Sequence, residues 1–400
     1  MQNNKNIIIL FFTMIVVMLG FGMIIPILPF YIKSFGASGA ALGALMSTYG
    51  VLQFVFAPIW GSYSDRIGRR PVLMLGVVGN AIAQLLFGLS TELWMLFAAR
   101  ALAGILSSAT LPTAMAYVAD STIKDKRSSG MGIIGAAMGI GMVLGPGLGG
   151  LLAKNSLSLP FFLAAGLSLT ALLLIFLVLP EPPKLQKPQE ASTRKPQLSE
   201  MKQALLGPLG VLFLMAFLLS FGLTNFESIF GLYTADRYGF TPNRVGLTLT
   251  IIGLISAVMQ GAMTGPATRR FGEVAVIRAG MIGSTIGFVL MTQATDFLQV
   301  LFTSCFFIFC NAMLGPSVAA LISKRAPGGQ GVAMGLNNSF LSLGRIIGPL
   351  WAGLVYDLHM NLPYLSGATI LLVGFVISIA ALRPEPGIML TAETHLDSSA

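Results

Sequence analysis

Three ionisable residues sit where water is scarce. Glu227 lies in SFGLTNFESIFGLY, inside a long apolar run, and Arg100 and Arg345 lie inside two others. A charge in hydrocarbon costs about 2.5–3.5 kcal/mol on insertion scales, so such residues face protein or a water-filled path. An acid there can exchange a proton in step with a conformation or a bound substrate, which makes Glu227 the candidate coupling residue. A polar contact near the interface is its structural alternative. Arg100 can be satisfied by backbone carbonyls. Arg345 can pair with Glu227 or receive an anionic part of a substrate. A second concentration of charge is GSYSDRIGRRP, residues 61–71, with Asp65, Arg66, Arg69 and Arg70 between apolar runs.

The elements that hold these residues follow from composition. The chain is 55% hydrophobic and 10% charged, with mean hydropathy +0.82. A soluble domain is about 25% charged. Apolar runs of spanning length fall at about 7–31, 40–60, 71–90, 93–118, 129–153 and 159–179, then at about 208–232, 245–265, 274–292, 296–321, 331–354 and 361–382. The expected fold is therefore an all-α membrane protein of twelve spans. The first run is too long for a signal h-region and is broken by Pro26 and Pro29. Residues 181–207, Pro-rich and basic at first, read as a linker between halves 1–180 and 208–383, and 384–400 as a polar tail.

Of the 24 Lys and Arg, Lys33, Lys154, Arg237 and Arg244 fall on one side and Arg100 and Arg345 inside spans. The rest share the side of the N-terminus, the linker and the tail. The positive-inside rule makes that side cytoplasmic. The basic residues are scattered over separate loops, which speaks against nucleic acid. Cys305 and Cys310 lie five apart on one helix, with no disulfide framework and no metal-ligand spacing. No Walker loop is present, so ATP drive and an enzymatic role find no support. No cofactor is expected.

The chain also repeats. At an offset of 204 residues GSYSDRIG meets GPATRRFG, so that Gly61, Arg66 and Gly68 fall on Gly265, Arg270 and Gly272, and Pro112 on Pro316. With a one-residue slip, Gly145-Pro146 meets Gly348-Pro349. Two six-span halves in parallel repeat are one known transporter plan. The second copy carries Arg269 where the first has Asp65.

These residues resemble the major facilitator superfamily over nearly the whole chain. GSYSDRIGRRP resembles its signature between helices 2 and 3. Gly132, Gly141, Gly145, Pro146, Gly149 and Gly150 match the fifth-helix motif of its drug:proton antiporters. LGFGMIIPILP resembles their first helix, and Arg100 and Gly104 stand in the fourth-helix motif places. The likeness is nearest to bacterial tetracycline and multidrug, quinolone-type, exporters. It implies two pseudo-symmetric bundles and proton-driven export of amphiphilic small molecules from the cytoplasm, by a monomer in the inner (plasma) membrane. It also implies a proton-transfer role for Arg100 beside Glu227, and a seam built on the fifth helix. Two departures stand out. Asn311 occupies the place of a second acid in the tenth helix, and Val17 the place of an acid in the first.

For the cavity, the resemblance points to helices 1, 4, 7 and 10, with 2, 5, 8 and 11 at the seam. Candidate contacts are Gln53, Met115, Asn225, Phe226, Phe306, Asn311, Asn337, Asn338 and Arg345. The 21 Met suit a soft, adaptable pocket. The loop residues Gly61, Asp65, Arg66, Gly68, Arg69 and Arg70, with Arg127, form a candidate latch, in which Asp65 would accept from Arg127 or from the start of helix 11. An uptake symporter for a metabolite and a non-transporting membrane sensor or scaffold are the competing readings.

Overall fold

A computed structural model describes residues 4–122, 124–182, 198–326 and 329–382. Among the described residues twelve helices are long and apolar enough to cross a membrane: α1 Asn6–Ser34, α2 Gly39–Ile67, α3 Arg69–Gly88, α4 Leu93–Ser121, α5 Lys126–Leu152, α6 Leu159–Val178, α7 Gly210–Tyr238, α8 Pro242–Phe271, α9 Glu273–Gln293, α10 Phe297–Arg325, α11 Gln330–Leu358 and α12 Leu362–Ala381. A short helix, Leu198–Leu205, precedes α7. No strand occurs among the described residues. The outer faces of α6 and α12 expose Leu169, Leu173, Phe176 and Leu372, Val373, Val376, as lipid-facing helices do.

The stretch read as a charged loop is mostly helix. The α2 helix continues through Ile67, Gly68 alone makes the turn at φ +111°, and α3 begins at Arg69. Gly272 does the same between α8 and α9 at φ +80°. Both positions need a backbone region that side chains disfavour, which gives the repeated glycines their physical reason. The repeated prolines act likewise. Pro112 and Pro316 lack an N–H and crowd the carbonyl four residues back. Accordingly α4 narrows to a 3₁₀ turn at Ser107–Ala109, and α10 breaks between Asn311 and Leu314. The α8 helix carries a π turn at Met259–Met263 instead.

The two bundles use the same pairings: α1 on α5 and α3 on α6 in the first, α7 on α11 and α9 on α12 in the second. Between bundles α2 packs on α11 and α5 on α8, pairs that exchange when the halves are swapped. Small residues permit this closeness. A Cβ on Gly43 would lie 2.3 Å from the Pro349 carbonyl oxygen, and one on Gly353 2.2 Å from that of Gly39. On α8, a Cβ on Gly246 would lie 2.3 Å from the Pro146 carbonyl oxygen. These contacts share one end of the molecule. At the end where α1 starts and α12 finishes, Gly61, Gly132, Gly135, Gly139, Gly331 and Gly335 meet nothing within 4 Å. The halves are sealed at one end and apart at the other.

Candidate functional site: the cleft between the halves

Glu227 is half-buried on α7, one turn before Gly231, which faces Pro29 of α1 in the other half. Its side chain therefore turns toward the boundary between the halves. Arg345 lies on the face of α11 that also carries Asn338 and Ser342, at i, i+4 and i+7. It is exposed there, just on the open side of the seal that Ile346 makes with Gly50 and Ser47. Arg345 is a charged neighbour of Glu227 across the packed pair α7 and α11. The two form no ion pair within 4.0 Å, and neither makes a hydrogen bond to another described residue. A carboxylate and a guanidinium thus share the closed end of the cleft without contact.

Tyr49, an uncharged side chain that nothing in the sequence marks, stands between the arginines. Its phenol lies in the field of both Arg100 and Arg345. Gln53 donates to its hydroxyl at 3.1 Å, one helical turn away. Arg100 is 1% exposed and has no carboxylate within salt-bridge reach among the described residues. Its guanidinium lies 5.6 Å from the Tyr49 and Phe87 ring centroids and 5.9 Å from that of Phe21. It also points at the Met46 sulfur, at 3.1 Å. Aromatic faces hold a desolvated cation where no acid is available. Beside it a small cavity is lined by Asn80, Gln84 and Ser107, and neither Arg100 Nε nor Gln84 Oε1 has a hydrogen-bond partner.

The other candidate contacts divide by helix face. Asn338 is exposed in the cleft and Gln53 half-buried beside it, whereas Asn337 is buried. Met115 packs against the core of the first bundle. Asn225 is fully buried and donates to the Pro363 carbonyl at 2.7 Å, tying α7 to α12. Phe226 is buried against Phe230 and Phe307. Phe306 lies on the opposite, exposed face of α10 with Phe302 and Phe309. Asn311 is buried at the α10 break, with its Nδ2 unpartnered.

The motif glycines of α5 split into two sets. Gly141, Gly145 and Gly149 press on α1, where a Cβ on Gly145 would stand 2.8 Å from the Gly22 Cα. Gly150 and the Pro146 carbonyl press on α8, across the boundary. Gly132 lies at the open end and touches neither.

At the open end Arg69 gathers the latch residues. It pairs with Asp65 at 2.5 Å and with Asp120 at 2.8 Å, and donates to Ser64. Glu181 accepts from the backbone N–H groups of Arg69 and Arg70, at 2.5 and 3.0 Å, and so caps α3. Arg70 donates to the Phe176 carbonyl. Arg127 donates to the Ala119 carbonyl at 2.8 Å rather than to Asp65. Arg66 is exposed. Asp120 and Glu181 were missed because nothing in their local sequence marks a partner 51 or 112 residues away.

The sealed end has carboxylates of its own. Asp357 accepts from the N–H groups of Gly39 and Ala40 at 2.7 and 2.9 Å, which puts α11's last turn on α2's first. Asp236 pairs with Lys33 and accepts from the Tyr356 hydroxyl at 2.6 Å.

Comparison with known proteins agrees with this architecture. Over 383 residues the chain is 32% identical to "Multidrug resistance protein 1" of Bacillus subtilis (strain 168), covering 96% of this chain and 98% of that one. It is 28% identical over 375 residues to "Quinolone resistance protein NorA" of Staphylococcus aureus (strain COL), covering 94% and 96%. A bacterial homolog of the human lysosomal transporter Spinster, solved in an inward-facing and occupied conformation, superposes with TM-score 0.82 at 14% identity, over 96% of this chain and 97% of that one. The Major Facilitator Superfamily model matches twice, at residues 10–211 and 212–394, once for each six-helix bundle. With its twelve spans, its repeated glycine turns and its cleft between two like bundles, this chain belongs to the Major Facilitator Superfamily.

Proposed function

We propose that the protein is a proton-coupled antiporter that exports amphiphilic small molecules or drugs from the cytoplasm by alternating access. The observation that carries this reading is Glu227, an acid deep in α7 that faces the cleft beside an unpaired Arg345. Relatives named for multidrug and quinolone resistance supply the substrate class. Residues 1–180 and 208–383 would rock as two bundles on the linker 181–207. The open end would face the cytoplasm with both termini, in keeping with its Lys and Arg, and the protein would work as a monomer in the plasma membrane. Arg100 would support proton movement through Tyr49. Gln53, Asn338 and Arg345, which border the cleft, are the contacts best placed to meet a substrate. When the open end closes, Asp65 would leave Arg69 for Arg127 or the start of α11.

The test is purified protein in liposomes with an imposed pH gradient and a panel of dyes and antibiotics. Flux opposite to the proton gradient, lost in Glu227→Gln, is the expected result. Flux in the same direction as protons would mean uptake by symport, and gradient-driven export unchanged in Glu227→Gln would remove the coupling assignment.

A further inference from the structure

The closed end of the cleft holds one charge of each sign. Glu227 approaches it from α7 and Arg345 from α11, and the described residues leave both without a hydrogen bond or ion pair. Of the uncharged polar groups nearby, Gln53 donates to the Tyr49 hydroxyl, and Asn338 carries no charge to add. Arg100 is withdrawn into its aromatic cage and only 1% exposed. The cation that a bound molecule meets is therefore Arg345.

That pairing discriminates. A simple monocation would gain from Glu227 and lose to Arg345, and a simple anion the reverse, because a molecule seated between them displaces the water that screens each charge. A molecule bearing both charges gains from each. The guanidinium fork also suits a carboxylate in particular, since two N–H groups can meet two oxygens. The geometry points to Arg345 as the receptor for a substrate carboxylate, so that the preferred cargo is a zwitterionic amphiphile with its cation toward Glu227 and its carboxylate on Arg345. This rests on the export reading above and sharpens its substrate class. It also fits exchange with a proton. A proton reaching Glu227 removes the partner of the substrate's cation and leaves Arg345 holding only the carboxylate, so binding weakens when the proton arrives.

Two rhodamines that differ by one methyl group test this: the zwitterion with a free benzoate, and its methyl ester, a monocation. Binding to purified wild-type protein is read by fluorescence polarisation, and efflux by proteoliposomes under a pH gradient. Wild type should bind the zwitterion about tenfold more tightly than the ester. Arg345→Gln should lower the ratio of zwitterion to ester export by a similar factor, and Arg345→Lys, which keeps the charge but not the fork, should restore only part of it. Equal wild-type affinity for the two dyes overturns the inference without need of any variant. So does an export ratio that Arg345→Gln leaves unmoved; in that case the export reading stands. Wild-type protein that carries neither dye against the gradient overturns the export reading and the inference together.

Discussion

The α2–α11 pair meets the same electrostatic problem at its two ends and solves it at only one. At the sealed end Asp357, in the last turn of α11, lays both carboxylate oxygens on the first N–H groups of α2. These groups lack partners within their own helix and sit at its positive pole, so an anion there is favoured. At the open end Asp65 stands in the last turn of α2, but its carboxylate is turned onto Arg69 in its own bundle. One acid spans the boundary and the other does not. The difference teaches that a carboxylate joins the halves at one end of this seam, while at the other end the carboxylate is held within its own bundle. The α5–α8 seam is closed differently. There Gly150 and Gly246 press on the carbonyls of Pro242 and Pro146.

The strongest way to break the contrast is steric. Gly353→Val places a branched side chain where a Cβ already lies 2.2 Å from the Gly39 carbonyl. The sealed end should fail to close, and transport should fall by more than about tenfold while membrane insertion persists. Flux and membrane yield check this together. Next comes Asp65→Asn. Its present contact is a partly exposed pair worth at most about 1 kcal/mol, so thermal stability should barely move. Transport should nevertheless drop severalfold if the acid is needed when this end closes, and wild-type flux would reduce it to a topological anchor.

Asp357→Ala should act on the opposite end and more gently. Loss of two charge-assisted bonds at a partly buried helix start is worth about 0.5–1.5 kcal/mol, a shift of about two- to tenfold in the sealed population. Spin labels on Asn155 and His359, which are exposed beside the sealed end, should report a larger share of long distances. The smallest effect belongs to Lys33→Met. Its pair with Asp236 is exposed and open to screening, so the same distances should shift little, and less still at high salt.

Much of this architecture was legible because it rests on local rules. Span count follows from apolar length, and the duplication from glycines at matching places, Gly68 and Gly272 among them. Pro112 and Pro316 read only as landmarks of the repeat, and the breaks they make inside the spans 93–118 and 296–321 emerged with the structure. The carboxylates were harder. Asp357 meets its partners from 318 and 317 residues away, and Asp236 meets Lys33 from 203. No spacing rule reaches that far, so these residues read only as loop charge. Helix phase also escaped a residue-type argument. Phe226 and Phe306 are the same side chain in neighbouring helices, yet one is wedged among aromatic rings and the other turned outward. Tyr49 was overlooked because a phenol in a span carries no charge to draw attention.

Glu181 has a consequence for how the chain divides. It follows the last span of the first bundle, yet it returns to cap α3, while the Tyr117 hydroxyl holds the neighbouring Pro180 carbonyl at 2.6 Å. The first bundle is thus fastened by residues beyond its own membrane boundary. A gene cut in two after Pro182 and before Leu198 would leave each product with its own fastenings, and co-expression should rebuild a working pair. A cut only three residues earlier, after Leu179, would hand the first bundle's clasp to the wrong partner.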